Sequence, residues 1–191
     1  MSKLKILLPW FLIAGGSCLA FWGAWEYAGS RASQVQAANS WESTLAAGSV
    51  SLQPGDVFAR LSIPRLHTAL YVVEGTDHDE LRRGPGHLEG TAMPGDSGNC
   101  VIAGHRDTHF QVLANIRDGD KIEITTVRGE FVYRVSGMSI VSPDNTAVLE
   151  PAGRPVLNLI TCYPFRYVGN APKRFIVRAD LIDHHAVRTL Q

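Results

Sequence analysis

Cys162 is the residue at which chemistry in this chain can begin. It closes the run Leu157-Asn158-Leu159-Ile160-Thr161-Cys162, and Pro164, two positions on, stops further strand pairing. A thiol so placed is fixed by a strand and reached through a loop. A free thiol has a pKa of about 8.5 and is largely protonated at neutral pH. A cysteine nucleophile therefore needs an imidazole close by and a cation to steady a developing oxyanion. His105 is the best imidazole, because it follows Cys100-Val101-Ile102-Ala103-Gly104, another short apolar run. Arg174, twelve residues after the cysteine, opens the next strand and would come back alongside it. Its planar, permanently charged fork suits a carbonyl oxygen turning anionic. Arg178, Lys173, Arg166 and Arg106 are rivals for that role. The competing reading of Cys162 is a small core residue.

The remaining histidines carry less. His109 stands four residues after His105, a metal-binding spacing on a helix. Asp107 and Thr108 argue for a loop there, so no metal is expected, and nothing calls for a cofactor. His87 sits among Gly84, Pro85, Gly86 and Gly90, where it either lines a site or pins a turn. His67 and His78 read as surface residues, and His184 and His185 as part of a polar tail.

The elements that must hold these residues are mostly strands. Val57–Ile63 and Thr68–Val73 have strand character, and Asp77–Arg83 a short helix with acids first and basic residues last. Gly84–Asn99 is a loop of forced turns before the strand Cys100–Ala103. Phe110–Ile116 suggests a helical turn. Lys121–Val127 and Glu130–Ser136 suggest a hairpin about Arg128-Gly129, and Ser139–Val141 continues that strand or adds another. Val156–Thr161 and Arg174–Asp180 complete the set. The 191 residues fit one turn-rich, mainly β domain with appendages, rich in Gly (18) and Pro (10). Eighteen basic and eighteen acidic side chains cancel, so no bulk field draws nucleic acid. Three cysteines make no disulfide framework, although Cys100 and Cys162 could pair as a redox switch.

The N-terminus predicts a membrane anchor. Ile6 to Trp25 is a charge-free run of twenty residues, enough to cross a hydrocarbon core of roughly 30 Å. Trp10 lies near one end and Trp22, Trp25 and Tyr27 near the other, as interfacial aromatics do. Lys3 and Lys5 precede it, so the N-terminus is expected in the cytoplasm and the domain outside, in a single-pass topology at the cell membrane. A cleaved signal peptide is the alternative, against which the run is long. The expected division is a basic N-terminus (1–5), an anchor (6–28), an Ala/Ser/Gln-rich tether (29–53), a catalytic domain (54–183) and a tail (184–191). Trp41, in the tether, either docks on the domain or stays exposed.

Several of these segments together resemble one family. Asn158-Leu159-Ile160-Thr161-Cys162 resembles the Thr-Leu-x-Thr-Cys signature of sortases, membrane-anchored cysteine transpeptidases, with Asn158 in place of the first Thr. Gly104-His105-Arg106-Asp107 is similar to the family's catalytic-histidine segment, and Arg174 before Phe175-Ile176-Val177 to its arginine. Cys162-Tyr163-Pro164-Phe165 and Ala171-Pro172-Lys173-Arg174-Phe175 look most like class D. The resemblance, from about Val57 to Ile182, implies an eight-stranded β-barrel with short helices. It implies Cys162 as nucleophile, His105 as proton carrier and Arg174 as oxyanion or signal partner. Thr161, Tyr163 and His87 are the expected substrate-binding residues. The partners would be secreted proteins bearing a Leu-Pro-x-Thr-Gly-like sorting signal and an amine acceptor, either a cell-wall precursor or another protein. A thiol hydrolase using the same three residues and a non-enzymatic extracytoplasmic binding domain stand as alternatives.

Overall fold

The computed structural model describes residues 2–48 and 52–185, the side chains of 1–8, 26–28, 30 and 31 excepted. Eight strands close into one barrel: β1 (Val57–Ile63), β2 (Thr68–Glu74), β3 (Gly86–His87), β4 (Gly98–Gly104), β5 (Lys121–Thr126), β6 (Gly129–Val141), β7 (Pro155–Tyr163) and β8 (Lys173–His185). Around the barrel the order is β1-β2-β3-β4-β7-β8-β6-β5. Closure leaves no open edge. Alternation then sends every second side chain inward, and Phe58, Leu61, Ile63, Ile102, Ile122, Ile124, Tyr133, Leu157 and Leu159 fill the interior.

Most neighbouring strands are antiparallel, but β2–β3 and β4–β7 are parallel. A parallel pair requires a crossover, which β5 and β6 supply between β4 and β7. The β5–β6 hairpin forms as the sequence suggests, and its second strand runs on without a break. Ser139–Val141 continues the strand that begins at Gly129, with a register shift between Val135 and Gly137 absorbing the irregularity. β3 lies within the segment expected to be loop. β8 continues to His185, so His184 and His185 pair with Phe131 and Glu130 rather than forming a tail. Residues 186–191 lie outside the described residues.

The N-terminal segment departs most from expectation. One helix, α1, runs from Ser2 to Ala47, where a loose tether was expected from Gly29 onward. Its last turns are docked. Trp41 is 2% exposed and packs with Ala37, Val57 and Val73. The Gln34 side chain accepts from Tyr71 N (2.8 Å) and donates to Arg83 O (2.9 Å), so it ties α1 both to β2 and to the end of α2 (His78–Arg83). Ala and Ser at the intervening positions favour or tolerate helix, and a buried tryptophan with a bonded glutamine fixes it to the barrel. Among the described residues no helix is long and apolar enough to cross a membrane.

One ion pair braces the barrel at its other end. Asp120, 7% exposed, takes two hydrogen bonds from Arg65, one of them 2.6 Å, and one from Arg117 N at 2.8 Å. The bond from Arg65 is the main reason the carboxyl is held below the ordinary carboxylate range. A depressed carboxylate contributes stability above its unfolded value of about 3.9, and that contribution is lost as pH falls through the folded value. Asp120→Asn should therefore melt lower than the parent at pH 7. The gap should narrow as pH drops below about 4, which thermal unfolding across a pH series will measure.

Candidate active site

The site stands at the end of the barrel where β4 and β7 leave together. Because these strands are parallel, their carboxyl ends lie at the same edge. Their register pairs Ala103 with Ile160 and Gly104 with Thr161. His105 is the residue after Gly104, and Cys162 the residue after Thr161. β8 starts at this edge and runs antiparallel to β7, with Cys162 opposite Arg174. Adjacent strands are about 4.8 Å apart. Cys162 and Arg174 are thus cross-strand partners, and His105 leaves the neighbouring strand β4 at the same edge of the barrel. Their burial agrees: all three are half-buried, between a closed core and solvent.

Local bonds fix this edge. Thr161 Oγ1 donates to Gly104 O at 2.7 Å, locking the last rung between β4 and β7. The turn after His105 closes with Phe110 N donating to His105 O at 2.9 Å. That brings the Phe110 ring over Gly104, where an added Cβ would lie 2.7 Å from the ring. Only glycine allows this approach, so the residue before His105 is set by packing. Arg174 Nη1 donates to the carbonyls of Ala171 (3.3 Å) and Lys173 (3.1 Å), which turns the guanidinium towards its own lead-in loop. Tyr163-Pro164 is a cis peptide.

Two of the expected substrate-binding residues need correction. Period-2 alternation puts the neighbours of Cys162 on the face opposite to it. Thr161 is 2% exposed and its hydroxyl is spent on Gly104. His87 is also 2% exposed; its Nδ1 donates to Glu74 Oε2 at 2.9 Å and its Nε2 lies 3.0 Å from Thr91 Oγ1. Both are internal braces that a peptide cannot reach. Tyr163 is half-buried in an aromatic trio, its ring centroid 6.3 Å from that of Phe175 and 6.0 Å from that of Phe165. Of the three, it alone keeps surface to offer.

Among the rivals for the cationic role, Arg166, Lys173 and Arg178 are exposed. Arg106 is half-buried and reaches the carbonyls of Tyr167 and Gly169. His109 is buried in the turn that follows His105, while His67 and His78 are exposed. Asn158 is buried too; its Nδ2 donates to Asn99 Oδ1 at 2.7 Å, and Asn99 Nδ2 donates to Val148 O at 2.7 Å. This pair pins the turn Thr146–Leu149 onto β4 and β7. A buried Asn inside an apolar strand was the one sequence signal for it. A cleft of about 770 Å³ reaches His105 from the side of α1 and α2, between Trp22, Ser33, Arg82 and Thr108.

A closed barrel that presents a half-buried thiol at the shared end of two parallel strands, with an imidazole and a guanidinium at the same edge, has the architecture of a cysteine transpeptidase. The family model for the sortase domain matches residues 61–182. Sortase D of Bacillus subtilis is 32% identical over 91% of this chain and 97% of its own length. The structure of a Clostridium perfringens sortase D5 transpeptidase superposes with a TM-score of 0.69 at 27% identity, covering 80% of this chain and 99% of that one. The catalytic domain of Bacillus anthracis SrtD does so with a TM-score of 0.62 at 31% identity, covering 72% and 95%. The chain belongs to the sortase family and is an enzyme of that kind, a cysteine transpeptidase.

Cys162 and Cys100 sit in opposite surroundings. Cys162 is half-buried and unpaired, whereas Cys100 is 1% exposed inside the barrel, where burial pushes its thiol well above the ordinary range. The two do not form a disulfide in this structure. Site-resolved mass spectrometry after alkylation at pH 8 should find Cys162 modified in the folded protein. Cys100 should be modified only in denaturant.

Proposed function

We propose that this enzyme cuts a Leu-Pro-x-Thr-Gly-like sorting signal and joins the severed protein to an amine. The Cys162 thiolate attacks the carbonyl carbon of the signal's threonine. A C–S bond forms, Arg174 offsets the charge on the oxyanion, and the peptide C–N bond breaks as His105 gives a proton to the leaving amine. The resulting thioester is then attacked by the acceptor amine. A new amide C–N bond forms, the C–S bond breaks, the amine's surplus proton passes to His105, and the thiolate and the protonated imidazole are both restored. The observation that supports this assignment is that Cys162 pairs with Arg174 across β7–β8, while His105 and Cys162 each follow directly on the last β4–β7 pair, Gly104 with Thr161. Tyr163, half-buried against Phe165 and Phe175, is the one expected substrate-binding residue that keeps part of its surface.

We also propose that residues 6–28 anchor the enzyme in the cell membrane, with the N-terminus cytoplasmic and the barrel outside. Trp10, Phe11, Leu12, Ile13, Leu19, Phe21, Trp22 and Trp25 are all more than half exposed on α1. A helix apolar around its circumference with no protein cover calls for an apolar solvent. The charge-free run and the two preceding lysines give the same answer. Secreted proteins carrying the signal and a cell-envelope amine are then the partners that can reach Cys162.

The test uses the full chain in detergent, because α1 is docked on the barrel through Gln34 and Trp41. Incubation with signal peptides and a free amine, read by mass spectrometry, should give the amine-coupled product. Cys162→Ala should abolish it, and Arg174→Ala should lower kcat by about 100- to 1000-fold. A product bearing only a free carboxylate would mark a hydrolase instead. No product from any signal peptide, with Cys162 inert to alkylation, would sink the assignment.

A further inference from the structure

The loop that joins Cys162 to Arg174 is held from outside its own strands. Residues 164–172 connect β7 to β8, and one side chain from the other flank of the site reaches into them. Arg106, next to His105, donates through Nη2 to Tyr167 O at 3.0 Å and to Gly169 O at 2.9 Å. Its guanidinium carbon lies 5.7 Å from the centroid of the Tyr167 ring. Gly169 holds a φ of 98°, a turn that few other residues adopt and that directs its carbonyl to the guanidinium. Val168, between the two bonded carbonyls, is fully exposed. The other terminal nitrogen, Nη1, is buried without a hydrogen-bond partner among the described residues. Such a donor is costly, so its retention points to a task for the rest of the group.

The task follows from connectivity. Cys162 and Arg174 are the two ends of this loop, and His105 is the residue before Arg106. Strand pairing already sets Cys162 against Arg174, but His105 lies one residue past the end of β4 and has no ladder bond of that kind. A charged Nη2 group shared between two carbonyls ties the histidine turn to the loop. We propose that Arg106 is a positioning residue for transpeptidation. It brackets the β7–β8 loop to the turn bearing His105, and so keeps the imidazole at the edge that bears the thiol and the guanidinium. This inference rests on the catalytic reading given above.

The experiment uses the full chain in detergent with Arg106→Met, Arg106→Gln and Arg106→Lys, each checked by its melting temperature. Limited proteolysis between residues 166 and 169 needs no substrate, and Met or Gln should be cut faster than the parent. With signal peptide and amine, kcat should fall roughly 100-fold in Met and Gln with KM little changed, as expected for misplaced reacting groups. The limbs of the pH–rate profile should move, and Lys should recover part of the rate. Wild-type kcat and loop cleavage in Met or Gln would overturn the bracket. So would a loss of rate that tracks melting temperature with an unmoved pH profile, because that is all a purely structural arginine predicts. A parent enzyme that makes no coupled product would sink the functional assignment instead, and loop cleavage in the variants would still decide whether Arg106 holds the loop.

Discussion

The parallel pairing of β4 with β7 is the constraint on which the site depends. Parallel strands end at the same edge, so one pairing delivers both the turn carrying His105 and the strand end carrying Cys162. An antiparallel arrangement of the same strands would put them at opposite ends of the barrel. The bond from Thr161 to Gly104 O seals the last rung, and the Phe110 ring over Gly104 leaves no room for a side chain at that point. β8 then needs only to return beside β7 to set Arg174 against the thiol. His105, Cys162 and Arg174 come to one edge of the barrel because of two register choices. Once the interior face is apolar, a slip of one residue would turn every side chain the wrong way.

Polar braces inside and outside the barrel protect that register. Glu74 and His87 join β2 to β3 from within, and Thr91 meets the same imidazole from the following turn. Asn158 and Asn99 bridge β7 and β4, and they secure the turn at Thr146–Leu149. Buried polar groups with every partner in place are costly to rearrange, so they favour one register over its neighbours. Arg106 extends the same logic beyond the sheet, where no ladder bonds exist. The docked end of α1 adds a further restraint: Trp41 and Gln34 make the N-terminal helix part of the domain rather than a leash on it.

Much of this was legible in the chain. The strands at Val57–Ile63, Thr68 onward, Cys100–Ala103 and Val156–Thr161 follow from apolar runs broken by Gly and Pro, and the hairpin at residues 121–136 from its turn. The three residues of the site were readable as types: a thiol, an imidazole and an arginine at strand ends. The errors share a cause. Thr161 stands beside Cys162 and His87 in a turn-rich loop, yet alternation and pairing put both inside the barrel. The tether was read from composition alone, and small polar residues with Ala become helix once a tryptophan and a glutamine find partners on another element.

The sequence by itself determined the family, the mainly β character, and which side chains have the chemistry for acyl transfer. These are local properties: residue type, periodicity and motif. The tertiary structure decided what meets what. It paired β4 with β7 in parallel, brought Arg106 to the carbonyls of residues 167 and 169, and gave His87 to Glu74. Such pairings join residues dozens of positions apart. Their energies depend on register, burial and geometry, which exist only after the barrel has closed.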